Sequence, residues 1–164
     1  MGALDPLHVP AAEVPGYWRH RIRWNVLLSG DATAGQLTML EQLMPRDAGP
    51  VPHLHERYDE GFHLLDGEID FVVGEGEARR RFTAAAGDAV WIPRRTVHSF
   101  VVVSESSRAL NFYTPGGWDD HLAFLALPAP EGRGMPDRVL PEPSAEEQAA
   151  FARRAQELNT QRRV

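Results

Sequence analysis

The 164-residue chain contains no cysteine, which removes at once disulfide frameworks, thiolate metal sites, iron–sulfur clusters and cysteine nucleophiles. Any metal it binds must be held by nitrogen and oxygen. It also lacks an excess of positive charge: 17 Lys and Arg stand against 23 Asp and Glu, for a net charge of −6 at pH 7. That balance offers nucleic acid no basic footprint. No apolar run approaches the ~20 residues that a membrane-crossing helix needs. The first residues, MGALDPLHVPAAEVPG, have neither the basic nor the apolar part of a secretory leader. The expected compartment is therefore the cytoplasm, with neither membrane nor nucleic acid as partner. No internal repeat is evident, and Gly74, Gly76, Gly116 and Gly117 lack the strand-to-helix setting of a phosphate loop, so they read as turns.

The length suits a single domain with one substantial core. Residues 1–16 carry Pro6, Pro10 and Pro15 and read as an extended arm. Residues 17–127 form the expected β-barrel domain, 128–143 a linker dense in proline and glycine, and 144–164 a C-terminal helix. Strands are expected over 17–28, 36–44, 60–65, 68–73, 78–82, 89–92, 98–103 and 108–114, from alternation and β-forming residues broken by turn signals. Short strands at regular spacing mean an all-β sandwich or barrel. Asp66-Gly67 predicts a hairpin between the strands at 60–65 and 68–73. Helical spacing of Trp118, Leu122 and Leu125 predicts a helix over 118–127. Ser144 with Glu147 forms a capping-box signature for a second helix, whose apolar face would carry Phe151, Ala155 and Leu158.

The chemistry concentrates in PHLHERYDEGFHLLDG, residues 52–67. On a strand, residues two apart share a face, so His53 and His55 can converge on one point, with Glu60 five further on. A second stretch, GDAVWIPRRTVH, ends at His98 and can bring a third imidazole from another strand. Together His53, His55, Glu60 and His98 would make a site of three nitrogens and one oxygen. Such a set accommodates one divalent transition metal, with Fe, Ni, Mn, Co, Cu and Zn all admissible. Glu60 shares the parity of Phe62 and Leu64, an interior face, whereas His63 falls on the opposite side. His8, His20 and His121 show no ligand spacing. Arg79, Arg80 and Arg81 read as a solvated strand edge, and Arg94 and Arg95 as a solvated turn.

These residues resemble the cupin superfamily. His53-x-His55-x4-Glu60-x6-Gly67 matches the first motif of that family, with Gly49 two residues nearer to His53 than the pattern asks. Gly87, Pro93 and His98 match the second motif, which departs at Arg95, where the family has glycine, and at Val102, where it has asparagine. Neither position is a metal ligand in the family. The stretch from about 36 to 125 is similar to small single-domain quercetinase-like cupins. The resemblance implies a double-stranded β-helix (jelly-roll or cupin barrel), the four ligands named above, and pairing of two copies through their sheets. A homodimer is thus expected, with the proline-bearing arm as a candidate to cross between copies.

Alternation places Phe100 and Val102 on the side of His98, and Phe62 and Leu64 on that of Glu60; Ile69, Phe71 and Val73 face the same interior. These seven form the expected wall of an apolar substrate pocket, or plain core packing. A small organic substrate follows, with dioxygen as co-substrate if the protein is a quercetinase-like dioxygenase acting on a polyphenolic or enolisable molecule. Glu60 is then the expected catalytic base. The same ligands would also serve a non-redox isomerase, cyclase or dehydratase of a biosynthetic, polyketide-like intermediate, or a ligand-binding or sensory cupin.

Overall fold

A computed structural model describes residues 5–122, 126–130, 132–135, 143–150 and 153. Ten strands run through it: β1 Gly16–Arg19, β2 Ile22–Leu28, β3 Thr38–Pro45, β4 Asp59–Asp66, β5 Glu68–Val73, β6 Arg80–Ala85, β7 Ala89–Ile92, β8 His98–Val102, β9 Ser106–Thr114 and β10 Leu127–Pro128. They form a seven-stranded sheet of order β10-β1-β2-β3-β9-β4-β7 and a three-stranded sheet of order β6-β5-β8. All pairings between these strands are antiparallel.

The core lies between the two sheets, because each strand has one apolar face and only sheet-on-sheet closure buries both sets. Phe62 on β4 meets Phe71 on β5 and Phe100 on β8, with ring centroids 5.2 and 5.5 Å apart. Leu40, Met44, Leu64, Ile69 and Val102 are fully buried around them. Truncating Phe62 to alanine should cost about 3–5 kcal/mol, the range for a large aromatic removed from a packed core. Arg79, Arg80 and Arg81 are exposed, at the start of the edge strand β6. Among the described residues no helix is long and apolar enough to cross a membrane.

One expectation about a turn is overturned. Asp66-Gly67 does not close a hairpin: β4 pairs with β7 and β9, while β5 pairs with β6 and β8. The turn instead carries the chain from one sheet to the other. A flat hairpin would leave Phe62 and Phe71 side by side, whereas the crossing sets them opposite one another across the core, ring edge to ring face. Gly67 sits at φ +79°, and a Cβ there would lie 2.2 Å from the Ser106 carbonyl oxygen. The tight two-residue hairpin falls elsewhere, between β1 and β2, where Arg19 pairs with Ile22. Its central residues His20 and Arg21 have φ of 52° and 64°, positive at both positions as a type I′ turn requires. Neither is a residue type that advertises such a turn.

Helix expectations fare unevenly. Over 118–127 there is a 3₁₀ turn at Trp118–His121, Leu122 is helical with its carbonyl accepting from Ala126 N–H at 3.0 Å, and Leu127 starts β10, which pairs with β1; residues 123–125, Leu125 among them, lie outside the described residues. The capping box forms as read: Glu147 N–H donates to Ser144 Oγ at 3.2 Å, and Ser144 N–H donates to the Glu147 carboxylate at 2.7 Å. Residues 145–150 are helical; Phe151, Ala155 and Leu158 lie outside the described residues.

Candidate metal centre

His53 and His98 belong to segments that are not neighbours in sequence, and a backbone bridge joins them. His53 N–H donates to His98 O at 2.9 Å, and His98 N–H donates to His53 O at 2.8 Å. His55 is tied in by its carbonyl, which accepts from Arg95 N–H at 2.8 Å. Arg95 holds φ +65°, the left-handed conformation that glycine adopts freely and other residues adopt at a cost of roughly 1–2 kcal/mol. The turn therefore keeps its shape although glycine is missing. Gly49, displaced in sequence from the expected spot, has the Phe100 carbonyl oxygen only 1.9 Å from where a Cβ would stand. Val102, the other departure, is a core residue.

The side chains of His53, His55, Glu60 and His98 converge, with one ligand atom from each lying within 4.8 Å of all the others. Glu60 and His98 are buried and the other two half-buried. His98 Nδ1–H donates to the Thr96 carbonyl at 2.9 Å, and His53 Nδ1–H to the Val51 carbonyl at 3.0 Å. These bonds select the tautomer in which each Nε2 carries a lone pair, the usual second-layer arrangement around a metal-binding imidazole. His98 Nε2 is fully buried without a bonded partner; Glu60 Oε2 is 2.9 Å away but off the line of a hydrogen bond. An orphaned imidazole nitrogen facing a carboxylate oxygen and two further imidazoles fits a divalent cation. The donor set is one that Mn, Fe, Co, Ni, Cu and Zn all accept.

Charge in the cluster is correspondingly tense. Burial pushes the Glu60 carboxyl upward, but His55 and His98 on its Oε2 more than offset this and hold it well below the usual carboxylate range. Burial lowers His98 while the Glu60 carboxylate raises it, with a net rise; His53 is lowered, by burial and then by His98. Glu60 Oε1 has separate partners: Tyr113 O–H donates to it at 2.6 Å and Asn111 Nδ2–H at 2.9 Å. Burial and the negative Glu60 push the Tyr113 hydroxyl well above its ordinary value, so it stays a donor.

Beside the cluster opens a cavity of about 590 Å³. His53 and His55 line it, with Trp24, Val51, Leu54, Tyr58, Trp118 and Leu122 supplying apolar and aromatic wall, and Arg19, His20, Arg57 and His121 adding polar groups. The expected wall is corrected by this finding. Phe62, Leu64, Ile69, Phe71, Phe100 and Val102 are buried in the core and Val73 packs against it; none of the seven lines the cavity. The parity that points them inward was right, but inward here means the solid interior below the cluster rather than the space above it. His20 and His121, without ligand spacing, do reach the cavity, whereas His63 faces away and contacts the Asp88 carbonyl. Arg94 is turned to Asp59, with bonds of 3.0 and 2.7 Å, and Arg95 to Glu56 at 3.2 Å. Tyr113 and Asn111 went unread in the sequence, although both share the inward parity of β9 and Tyr113 stands opposite Glu60 in the β4–β9 register.

Two antiparallel sheets packed together, with three histidines and a glutamate clustered beside a cavity, define the class: a small jelly-roll barrel that could hold one metal ion. More particularly, residues 39–113, just under half of the chain, match the cupin domain family. Over 89 residues, 54% of the chain, it is 25% identical to quercetin 2,3-dioxygenase of Aspergillus japonicus, and the match spans a quarter of that relative's length. Among solved structures it is similar to KdgF from Halomonas sp., at 23% identity and TM-score 0.51 over 61% of this chain and 84% of that one. It is also similar to the oxalate decarboxylase of Bacillus subtilis with its Mn(II) centres, at 12% identity and TM-score 0.63, covering 73% of this chain and 32% of that one.

Proposed function

We propose that the protein is a metal-dependent enzyme of small organic molecules and, more narrowly, a quercetinase-like dioxygenase acting on a polyphenolic or enolisable substrate of largely apolar surface. One observation carries this reading: the half-buried imidazoles His53 and His55 form part of the wall of an aromatic cavity large enough for such a molecule, with Glu60 and His98 buried behind them. The distant likeness to quercetin 2,3-dioxygenase supports the finer choice. A divalent metal held by the four residues would act as a Lewis acid toward a substrate oxygen. The chain's own groups do the rest. Trp118, Tyr58 and Leu54 flank the substrate body and exclude water, and Glu60 Oε2 accepts the proton of the substrate hydroxyl. The enolate so formed is electron-rich and open to dioxygen, whose two atoms both enter the product without an external reductant.

A non-redox isomerase or cyclase is the second reading, favoured by the firm seating of Glu60 on Tyr113 and Asn111, which suits proton transfer with or without oxygen. Oxygen-electrode traces of metal-loaded protein with polyphenolic and enolisable substrates separate the two. Oxygen uptake matching substrate loss supports the dioxygenase, and conversion without uptake moves the reading to the second. The protein is also proposed to work as a homodimer, a reading that suits the exposed arm residues 5–8 and the half-exposed Trp91 beside the edge of the large sheet. A monomeric mass by light scattering at micromolar concentration overturns it.

A further inference from the structure

The two oxygens of Glu60 meet different surroundings. Oε2 faces His98 and His55 at 2.9 and 3.2 Å, while Oε1 accepts hydrogen bonds from Tyr113 and Asn111. Both donors are themselves held. Asn111 Nδ2–H also bonds the Gly61 carbonyl at 3.1 Å, and Asn111 Oδ1 accepts from Gln42 Nε2–H at 3.0 Å. The Tyr113 ring lies flat on Trp118, with centroids 4.3 Å apart and planes within 4°, and meets His55 edge-on at 5.4 Å. Tyr113, Asn111 and Gln42 are all buried, so turning Oε1 away would strand two donors where no water replaces the lost bonds.

We propose that Tyr113, with Asn111 beside it, is the positioning residue of the metal centre: it anchors one oxygen of Glu60 so that the other alone is presented to the ion and to the substrate's proton. Glu60 is thus held with Oε2 alone turned to the site, and Oε1 does not exchange with it. The inference rests on the reading of Glu60 as a ligand. Tyr113 touches neither the ion nor the substrate; it acts through the carboxylate.

Tyr113→Phe tests this, since it removes the hydroxyl and keeps the ring on Trp118. With Co(II) as the probe, affinity should fall by about 10- to 100-fold, the scale for losing a group that orients a ligand. The visible Co(II) bands should weaken as the freed carboxylate closes with both oxygens and the coordination number rises. Unchanged Co(II) affinity and spectrum in folded Tyr113→Phe overturn the proposal. If that variant does not fold, Asn111→Ala removes the other donor to the same oxygen and carries the same two outcomes; failure of both to fold overturns it too, because the pair would then hold the barrel and not the carboxylate. His98→Ala separates this from the underlying reading. Full Co(II) content in His98→Ala defeats the metal site itself, whereas loss there with no change in Tyr113→Phe defeats the positioning role alone.

Discussion

Glu41 and Glu60 are each 3% exposed and lie on strands β3 and β4, either side of β9, yet they are buried in opposite ways. Glu41 points to the outer face of the large sheet and is saturated by the protein. Its Oε1 accepts from Arg108 Nε–H and Nη2–H at 2.8 and 2.5 Å, and its Oε2 from Asn25 and Arg133 at 2.9 and 2.8 Å. Arg23, bonded to Asn25 Oδ1 at 2.8 Å and to the carbonyls of Pro130 and Gly132, extends that network and ties these two residues to the sheet. Glu60 points to the inner face, has two neutral donors on one oxygen, and turns the other toward three imidazoles, one of them with an orphaned nitrogen. A buried carboxylate satisfied on every side is a structural hub. One whose second oxygen meets only imidazoles, with His55 Nε2 at 3.2 Å and the orphaned His98 Nε2 beside it, is a place for a cation.

Four experiments press on this contrast. The largest effect is expected from His98→Ala, which should take metal content, read by plasma emission spectrometry, from near-stoichiometric to near zero, since the remaining three groups cannot complete the coordination alone. Retention of the metal would remove Glu60 from the functional side of the comparison. Next, Glu60→Gln should weaken metal binding at least as far as Tyr113→Phe does and, with the metal kept saturating, lower turnover by about 100- to 10,000-fold, the scale for a lost general base. Near-normal turnover would leave the three histidines as the whole catalytic site.

Glu41→Gln should do the converse. It leaves Arg108 and Arg133 without their shared anion, though both are partly solvated, at 53% and 35% side-chain exposure. A loss of roughly 1–3 kcal/mol in denaturant unfolding is expected, with metal content unchanged; a lost metal would mean the two networks are coupled through β9. The smallest effect concerns a third carboxylate, Asp59, the neighbour of Glu60 in the chain. Hydrogen bonds from the Arg94 side chain and backbone lower the Asp59 carboxyl to about 2, against an unfolded value near 3.9. Being depressed in the folded state, Asp59 contributes stability that is complete above the unfolded value and fades as pH falls toward the folded one. Asp59→Asn should therefore be less stable than the native protein at about pH 5, with the gap in urea midpoint narrowing toward about pH 3. A gap that does not narrow would assign the effect to something other than ionisation.

Much of this molecule was legible before any coordinates. The four residues that converge, the all-β class, most strand positions and the capping box at Ser144 all follow from residue type and spacing within a few positions, where the strand period of two and the geometry of a helix end hold whatever the rest of the chain does. Asp66-Gly67 shows the limit of such local signals: a turn sequence states that the chain reverses, not which sheet it reverses into, and that choice was made by Phe62 needing Phe71 and Phe100 across the core. The cavity wall, the Glu41 hub and the Tyr113 anchor were equally out of reach. Tyr113 meets Glu60 across 53 residues of chain, and Arg133 meets Glu41 across 92. What surrounds each carboxylate, and so whether it holds the fold or a metal, is a property of strands brought together from distant parts of the sequence, because the donors that satisfy a buried charge need only be near it in space.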